Sequence, residues 1–161
     1  VMVIIRSSAI EKEIEPSGKL KIAAAPDNGR SNEPWQWRLT VGDEPSREST
    51  LNGQSLTLED PKSGSQKILE LACEKKLVTG TMRSEVQDSR FELGREDGEL
   101  VVIYMHTGEL AFDQHCLRPG DAAILSGNEH YRVDARPTDG QAGFALIRLG
   151  SLAHTGLVWI P

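Results

Sequence analysis

Cysteine is nearly absent from this 161-residue chain: Cys73 and Cys116 are too few for a disulfide framework and form no C-x-x-C pair. Two buried free thiols in a reducing compartment is the simple reading, and a single bridge between them is the alternative. Positive charge is also in deficit, with 18 Lys+Arg against 24 Asp+Glu and a formal net charge of −6. That balance argues against a protein that tracks a nucleic-acid backbone, which needs a basic stripe. Long apolar runs are missing too. The opening residues 1–5 are apolar but stop at Arg6, too short for a signal peptide or a membrane span. A cytoplasmic protein with no membrane or nucleic-acid partner is therefore expected. Familiar nucleotide and nucleophile motifs are lacking: no G-x-G-x-x-G, no G-x-x-x-x-G-K-[ST] and no G-x-S-x-G occurs in a fitting context. The stretch from Gly94 to Gly98 reads as a charged turn rather than a phosphate cradle.

Turn-forming residues are abundant by contrast. Pro16-Ser17-Gly18, Pro26-Asp27-Asn28-Gly29, Asn52-Gly53, Asp60-Pro61, Asp97-Gly98, Thr107-Gly108, Pro119-Gly120, Ser126-Gly127-Asn128 and Asp139-Gly140 punctuate the chain at short intervals. The runs between them suit strands. Trp35, Trp37, Leu39 and Val41 alternate with Gln36, Arg38 and Thr40, which predicts one apolar and one polar strand face. Residues 100–106 read as a buried strand, and 55–59, 122–125, 131–133 and 144–149 as further strands. In residues 65–76 periodicity fits helix and strand equally; the flanking strands favour strand. Short strands at this spacing predict an all-β sandwich or barrel. Residues 53–58 resemble 108–112, and 87–93 resemble 141–146 at nearly the same offset. A duplicated β-roll produces such an echo, and so does chance.

The most specific local pattern runs from Gly108 to Gly127 and contains Leu117-Arg118-Pro119-Gly120-Asp121. Pro119 presets the first central position of a turn, and Gly120 takes the positive φ of a type II turn. Asp121 is expected to bond backbone amides beyond the corner. This glycine, strand, Pro-Gly corner, strand and glycine order resembles the second motif of the cupins. Residues 21–26, 37–41 and 86–93 resemble the HutD/Ves-like branch of that superfamily, and the likeness extends from about Ile4 to Leu149. The resemblance implies an all-β chain with cupin-like β-rolls or barrels, two in one chain: residues 1–161 as a single bicupin-like unit, about 1–94 forming one half and 95–161 the other. It also implies binding of small acidic metabolites connected with histidine utilisation.

Metal-binding cupins carry a His-x-His pair on one strand face. The corresponding residues here are Tyr104 and His106, and tyrosine replaces imidazole poorly as a ligand, so neither metal nor other cofactor is expected. The candidate ligand-binding residues are Arg38, Glu92, Tyr104, His106 and His130. Arg38 offers bidentate geometry for a carboxylate, or is simply an exposed arginine. Tyr104 and His106 could fix an anion or shuttle a proton, or be satisfied core side chains. Glu92 points away from Phe91 and Leu93, into a lumen or into solvent. His130 falls near the cupin motif's histidine, or on a rim loop. Adjacent His115 and Cys116 should occupy opposite strand faces, which argues against a thiolate–imidazole pair.

These residues predict a metal-independent binder of a small organic anion, a carboxylate, and the resemblance implies for it a regulatory or sensing role in amino-acid (histidine) catabolism. The alternative is a cupin-fold isomerase or lyase drawing acid–base chemistry from His106, Tyr104 and Glu92, which requires the three to converge. A third reading is an interaction module with Trp35, Trp37 and Trp159 at a homodimer interface. The apolar tail at 157–160 is expected to dock on its own barrel or on a second copy.

Overall fold

A computed structural model describes residues 2–6, 20–23, 35–44, 53–127 and 131–152. Those residues form thirteen strands and no helix: β1 (Met2–Ile5), β2 (Leu20–Ala23), β3 (Trp37–Gly42), β4 (Gly53–Glu59), β5 (Gln66–Cys73), β6 (Val78–Gln87), β7 (Phe91–Arg95), β8 (Leu100–Thr107), β9 (Leu110–Phe112), β10 (His115–Leu117), β11 (Ala122–Leu125), β12 (Tyr131–Pro137) and β13 (Ala142–Ser151). The segment with ambiguous periodicity is thus strand, β5. Among the described residues no helix is long and apolar enough to cross a membrane.

The strands make three antiparallel sheets. A five-stranded sheet has the order β1-β11-β8-β13-β6, and two four-stranded sheets have the orders β10-β9-β12-β7 and β2-β3-β5-β4. The five-stranded sheet is the shared wall of two hydrophobic cores. Its residues Leu100, Val102, Tyr104, Ile124, Ile147 and Leu149 pack with Trp37, Leu39, Val41, Leu69 and Leu71 of the β2-β3-β5-β4 sheet. From the opposite face, Val101, Ile103, Met105, Leu125, Phe144 and Leu146 pack with Leu93, Leu110, Phe112 and Val133 of the other outer sheet. We call the first space cup 1 and the second cup 2.

This sharing explains the apolar run in β8. A strand covered on both faces has no polar side to alternate with, so residues 100–105 are all buried. Strand β3 is covered on one face and keeps its alternation: Trp37, Leu39 and Val41 are buried, Arg38 and Thr40 half-buried. Trp35 departs from the expected pattern. It precedes β3 and lies beneath the Arg38 guanidinium, 4.8 Å from carbon to ring centroid, a cation–π contact outside cup 1. The halves expected at 1–94 and 95–161 interleave: β1 and β6 join the central sheet, and β7 joins the sheet of β9, β10 and β12.

The Pro119-Gly120 corner is built as anticipated, with φ +89° at Gly120. Asp121 acts on the near side of it, however. Its carboxylate accepts from the Arg118 amide at 3.0 Å and pairs with the Arg6 guanidinium at 2.9 Å. Asp121 is buried, so this pair ties the chain after β1 to the corner before β11. Gly108 is required as glycine. Its φ is +69°, and an added Cβ would sit 2.2 Å from the Gln141 carbonyl oxygen. Cys73 and Cys116 are both free thiols, which closes the disulfide alternative.

Candidate functional site

Four strands end their inward apolar rows with a polar residue at one end of cup 1. On β3 the row Trp37-Leu39-Val41 continues to Asp43, and on β5 the row Cys73-Leu71-Leu69 continues to Lys67. On β4 the row Leu56-Leu58 continues to Asp60, and on β8 the row Leu100-Val102-Tyr104 continues to His106. Two-residue periodicity accounts for the extensions on β3, β4 and β5; on β8 the ladder to β13 shifts register at His106, whose place at this rim is shown by the influence of Asp60 and Lys67 on it. The β3–β5 register pairs Val41 with Leu69 and Gly42 with Ile68, so one step further Asp43 faces Lys67. The Lys67 ammonium does pair with the Asp43 carboxylate. Leu58 is opposite Lys67 in the β4–β5 register, which brings Asp60 to the same rim.

Tyr104 is buried in this end of the cup, and His106, two residues further along β8, is half-buried. Burial, helped by the nearby negative charge of Asp43, pushes the Tyr104 phenol up to about 12. Burial also lowers the His106 pKa from its ordinary value; Asp60 opposes the shift and Lys67 reinforces it. His106 is therefore mainly neutral at pH 7. Asp60 is held below the usual carboxylate range by hydrogen bonds from the Lys62 amide and the Ser63 hydroxyl, at 2.9 Å each.

The informative atom is His106 Nε2, which is buried and has no hydrogen-bond partner. Trp37 Nε1, also in cup 1, is buried without a partner as well. Leaving a buried polar atom unsatisfied costs about 1–3 kcal/mol, and such atoms are rare in finished cores. Cup 1 thus presents unsatisfied imidazole beside an ammonium and a phenol. A small molecule bearing an oxygen anion or hydroxyl has the chemistry to meet all three.

Among the described residues, the structure brings together two of those anticipated from sequence, Tyr104 and His106. Arg38 lies on the face of β3 opposite cup 1, against Trp35. Glu92 is on the exposed face of β7 and pairs with Arg132 at 3.1 Å. Glu92 therefore does not meet His106 and Tyr104, and the three-residue acid–base centre is not assembled. His130 lies outside the described residues, as does Trp159. Trp37 is fully buried in cup 1, so it is core rather than interface. Sequence reasoning missed Asp43, Asp60 and Lys67. The signal was present: each sits two residues beyond an inward apolar residue of its strand.

Cup 2 also has inward charge, but at its other end. Arg148 Nη1 donates to Gly94 O at 3.1 Å and Glu99 Oε2 at 2.9 Å. Buried Arg95 donates through Nη1 to the carbonyls of Glu96, Glu99 and Gly127 at 3.2, 3.0 and 2.8 Å. Cys116 makes no reactive pair with its neighbour His115; its thiol faces Glu109 Oε2 at 3.6 Å, and burial together with that carboxylate raises its pKa. Among the described residues no cluster of three or more His, Cys, Asp or Glu could hold a metal ion.

No protein-family profile matches the chain, and no curated protein matches it in sequence. Solved structures do match. A conserved protein of unknown function, PA5104 from Pseudomonas aeruginosa PAO1, superimposes with a TM-score of 0.57 over 94% of this chain and 100% of its own, at 9% identity. HutD from Pseudomonas fluorescens SBW25, solved in a formate condition, superimposes with a TM-score of 0.56 over 95% of this chain and 100% of its own, at 12% identity. Across nearly its whole length, this chain has the cupin-like all-β fold of HutD.

Proposed function

We propose that the protein binds a small organic acid at the polar end of cup 1, without a metal, and acts by binding rather than by turnover. The observation that carries this reading is the buried, unpartnered Nε2 of His106 next to Lys67 and Tyr104. A ligand carboxylate would accept from a protonated imidazole and from the ammonium hydrogens that Asp43 leaves over. The phenol, held near 12, stays a donor throughout the physiological range and is a poor proton acceptor. That combination favours holding an anion over moving protons. A sensing role in amino-acid catabolism, histidine breakdown included, accords with the HutD fold and is part of this proposal.

The sign of the pH dependence follows. His106 is neutral at pH 7 and gains a proton when an anion arrives, so affinity should rise as pH falls from 7.5 to 5.5. Formate, acetate, succinate and glutamate titrated calorimetrically and by thermal shift provide the test. At least one should bind saturably, more tightly at pH 5.5, with the effect lost in His106→Leu and kept in Arg38→Ala and Glu92→Ala. Equal binding by His106→Leu, or no binding by any of the four at millimolar concentration, would overturn the reading.

A further inference from the structure

We propose that β6 is a self-complementary edge through which two copies of this chain pair antiparallel, joining their central sheets into one. Strand β6 is ten residues long and terminates the five-stranded sheet, bonded on one side to β13 in unbroken register from Val78–Ser151 to Gln87–Ala142. Among the described residues no strand pairs with its other side. The Gly80 carbonyl accepts from Gln54 Nε2 at 2.6 Å, so it points out of the β13 ladder. In an unbroken antiparallel pair this orientation repeats every second residue, so the amides and carbonyls of Met82, Ser84 and Val86 also face outward. Gln54 closes the end at Gly80, and among the described residues nothing pairs with the stretch from Met82 onward.

A long open edge invites pairing, and proteins that avoid it place charged side chains, proline or a bulge there. β6 has neither proline nor bulge, and its two charges are of opposite sign. It carries one cation and one anion two residues apart, Arg83 and Glu85, paired within the strand at 2.6 Å. It also carries Val86, which is 62% exposed, one of two large hydrophobic side chains so exposed among the described residues.

Charge selects a single register. With Ser84 opposite Ser84 of the second copy, each Arg83 faces a Glu85, and each Val86 faces a Met82. Outward-facing backbone groups then meet outward-facing ones along the whole stretch. Sliding by one hydrogen-bonded step in one direction sets Arg83 against Arg83; sliding in the other sets Glu85 against Glu85. Like charges directly opposite destabilise a strand pair, whereas opposite charges and apolar pairs stabilise it. The occupant with this complementarity is a second copy of the chain.

Sedimentation over a dilution series tests it. The wild-type mass should rise from 17.7 kDa toward twice that value with concentration, and added salt should favour the single copy. Arg83→Glu and Glu85→Arg should each remain single, and the double variant Arg83→Glu/Glu85→Arg should pair again. Ser84→Pro removes only an outward amide and should also abolish pairing, with folding verified by circular dichroism for every variant. A wild-type mass fixed at one copy, single variants that pair like the wild type, or a folded double variant that stays single would each overturn the proposal.

Discussion

Cups 1 and 2 share a wall, yet they treat their buried polar groups differently. In cup 2 the inward arginines are answered from within the chain through Nη1, Arg148 by Glu99 and Gly94, Arg95 by three carbonyls of neighbouring turns, and the Nε of Arg95 makes no hydrogen bond among the described residues. That end is latched by the loop between β7 and β8. In cup 1 Lys67 is answered by Asp43, but His106 Nε2 is not answered at all. The contrast teaches where to look for a ligand. A polar group that the fold satisfies contributes to stability; one that it leaves unsatisfied costs stability unless a bound group meets it.

The largest effect should come from the shared wall. Phe144 is buried in cup 2 and stacks on Phe91 with centroids 5.8 Å apart, while its strand also sends Ile147 and Leu149 into cup 1. Phe144→Ala should cost about 3–5 kcal/mol, and calorimetry should show one unfolding transition for both cups. Two resolved transitions would mean that the cups are energetically separate. Arg148→Met should cost about 1–3 kcal/mol by taking from Glu99 its charged partner and leaving it the Glu96 amide, and hydrogen exchange should speed up selectively in residues 94–99. Uniform exchange across the chain would remove the latch from the comparison.

The smallest effect should have the opposite sign. His106→Leu removes an unsatisfied atom and should raise stability by about 1 kcal/mol or less at pH 7. Because folding lowers the His106 pKa, the unfolded chain binds the extra proton first as pH falls. Wild-type stability linked to this residue is present above the ordinary pKa of 6.5 and is lost as pH falls through the lowered value. The advantage of His106→Leu should therefore widen in acid, measured by urea unfolding at pH 5 and pH 8. A gap that stays constant, or a loss of stability in the variant, would place His106 among satisfied core residues.

Much of this architecture was legible from side-chain order. The alternation of residues 37–41, the apolar run of residues 100–105 and the Pro119-Gly120 corner each state a local geometry, because period, covering and φ are properties of short stretches. The helix-or-strand ambiguity at 66–73 was not resolvable locally, since Ile68, Leu71 and Ala72 satisfy one period while Leu69, Leu71 and Cys73 satisfy the other. Pairing with β3 and β4 settled it by using the backbone donors and acceptors of β5 in two ladders.

Within the candidate site, two-residue spacing points Tyr104 and His106 to one strand face, and the structure keeps them at one end of cup 1 although the β8–β13 ladder shifts register at His106. The sequence by itself determined that Glu92 points away from Leu93. Which side of the molecule each face meets was decided by tertiary structure alone. Sheet order and register, fixed by contacts between residues far apart in the chain, sent Glu92 outward to Arg132 and assembled Asp43, Asp60 and Lys67 around His106 from three separate strands.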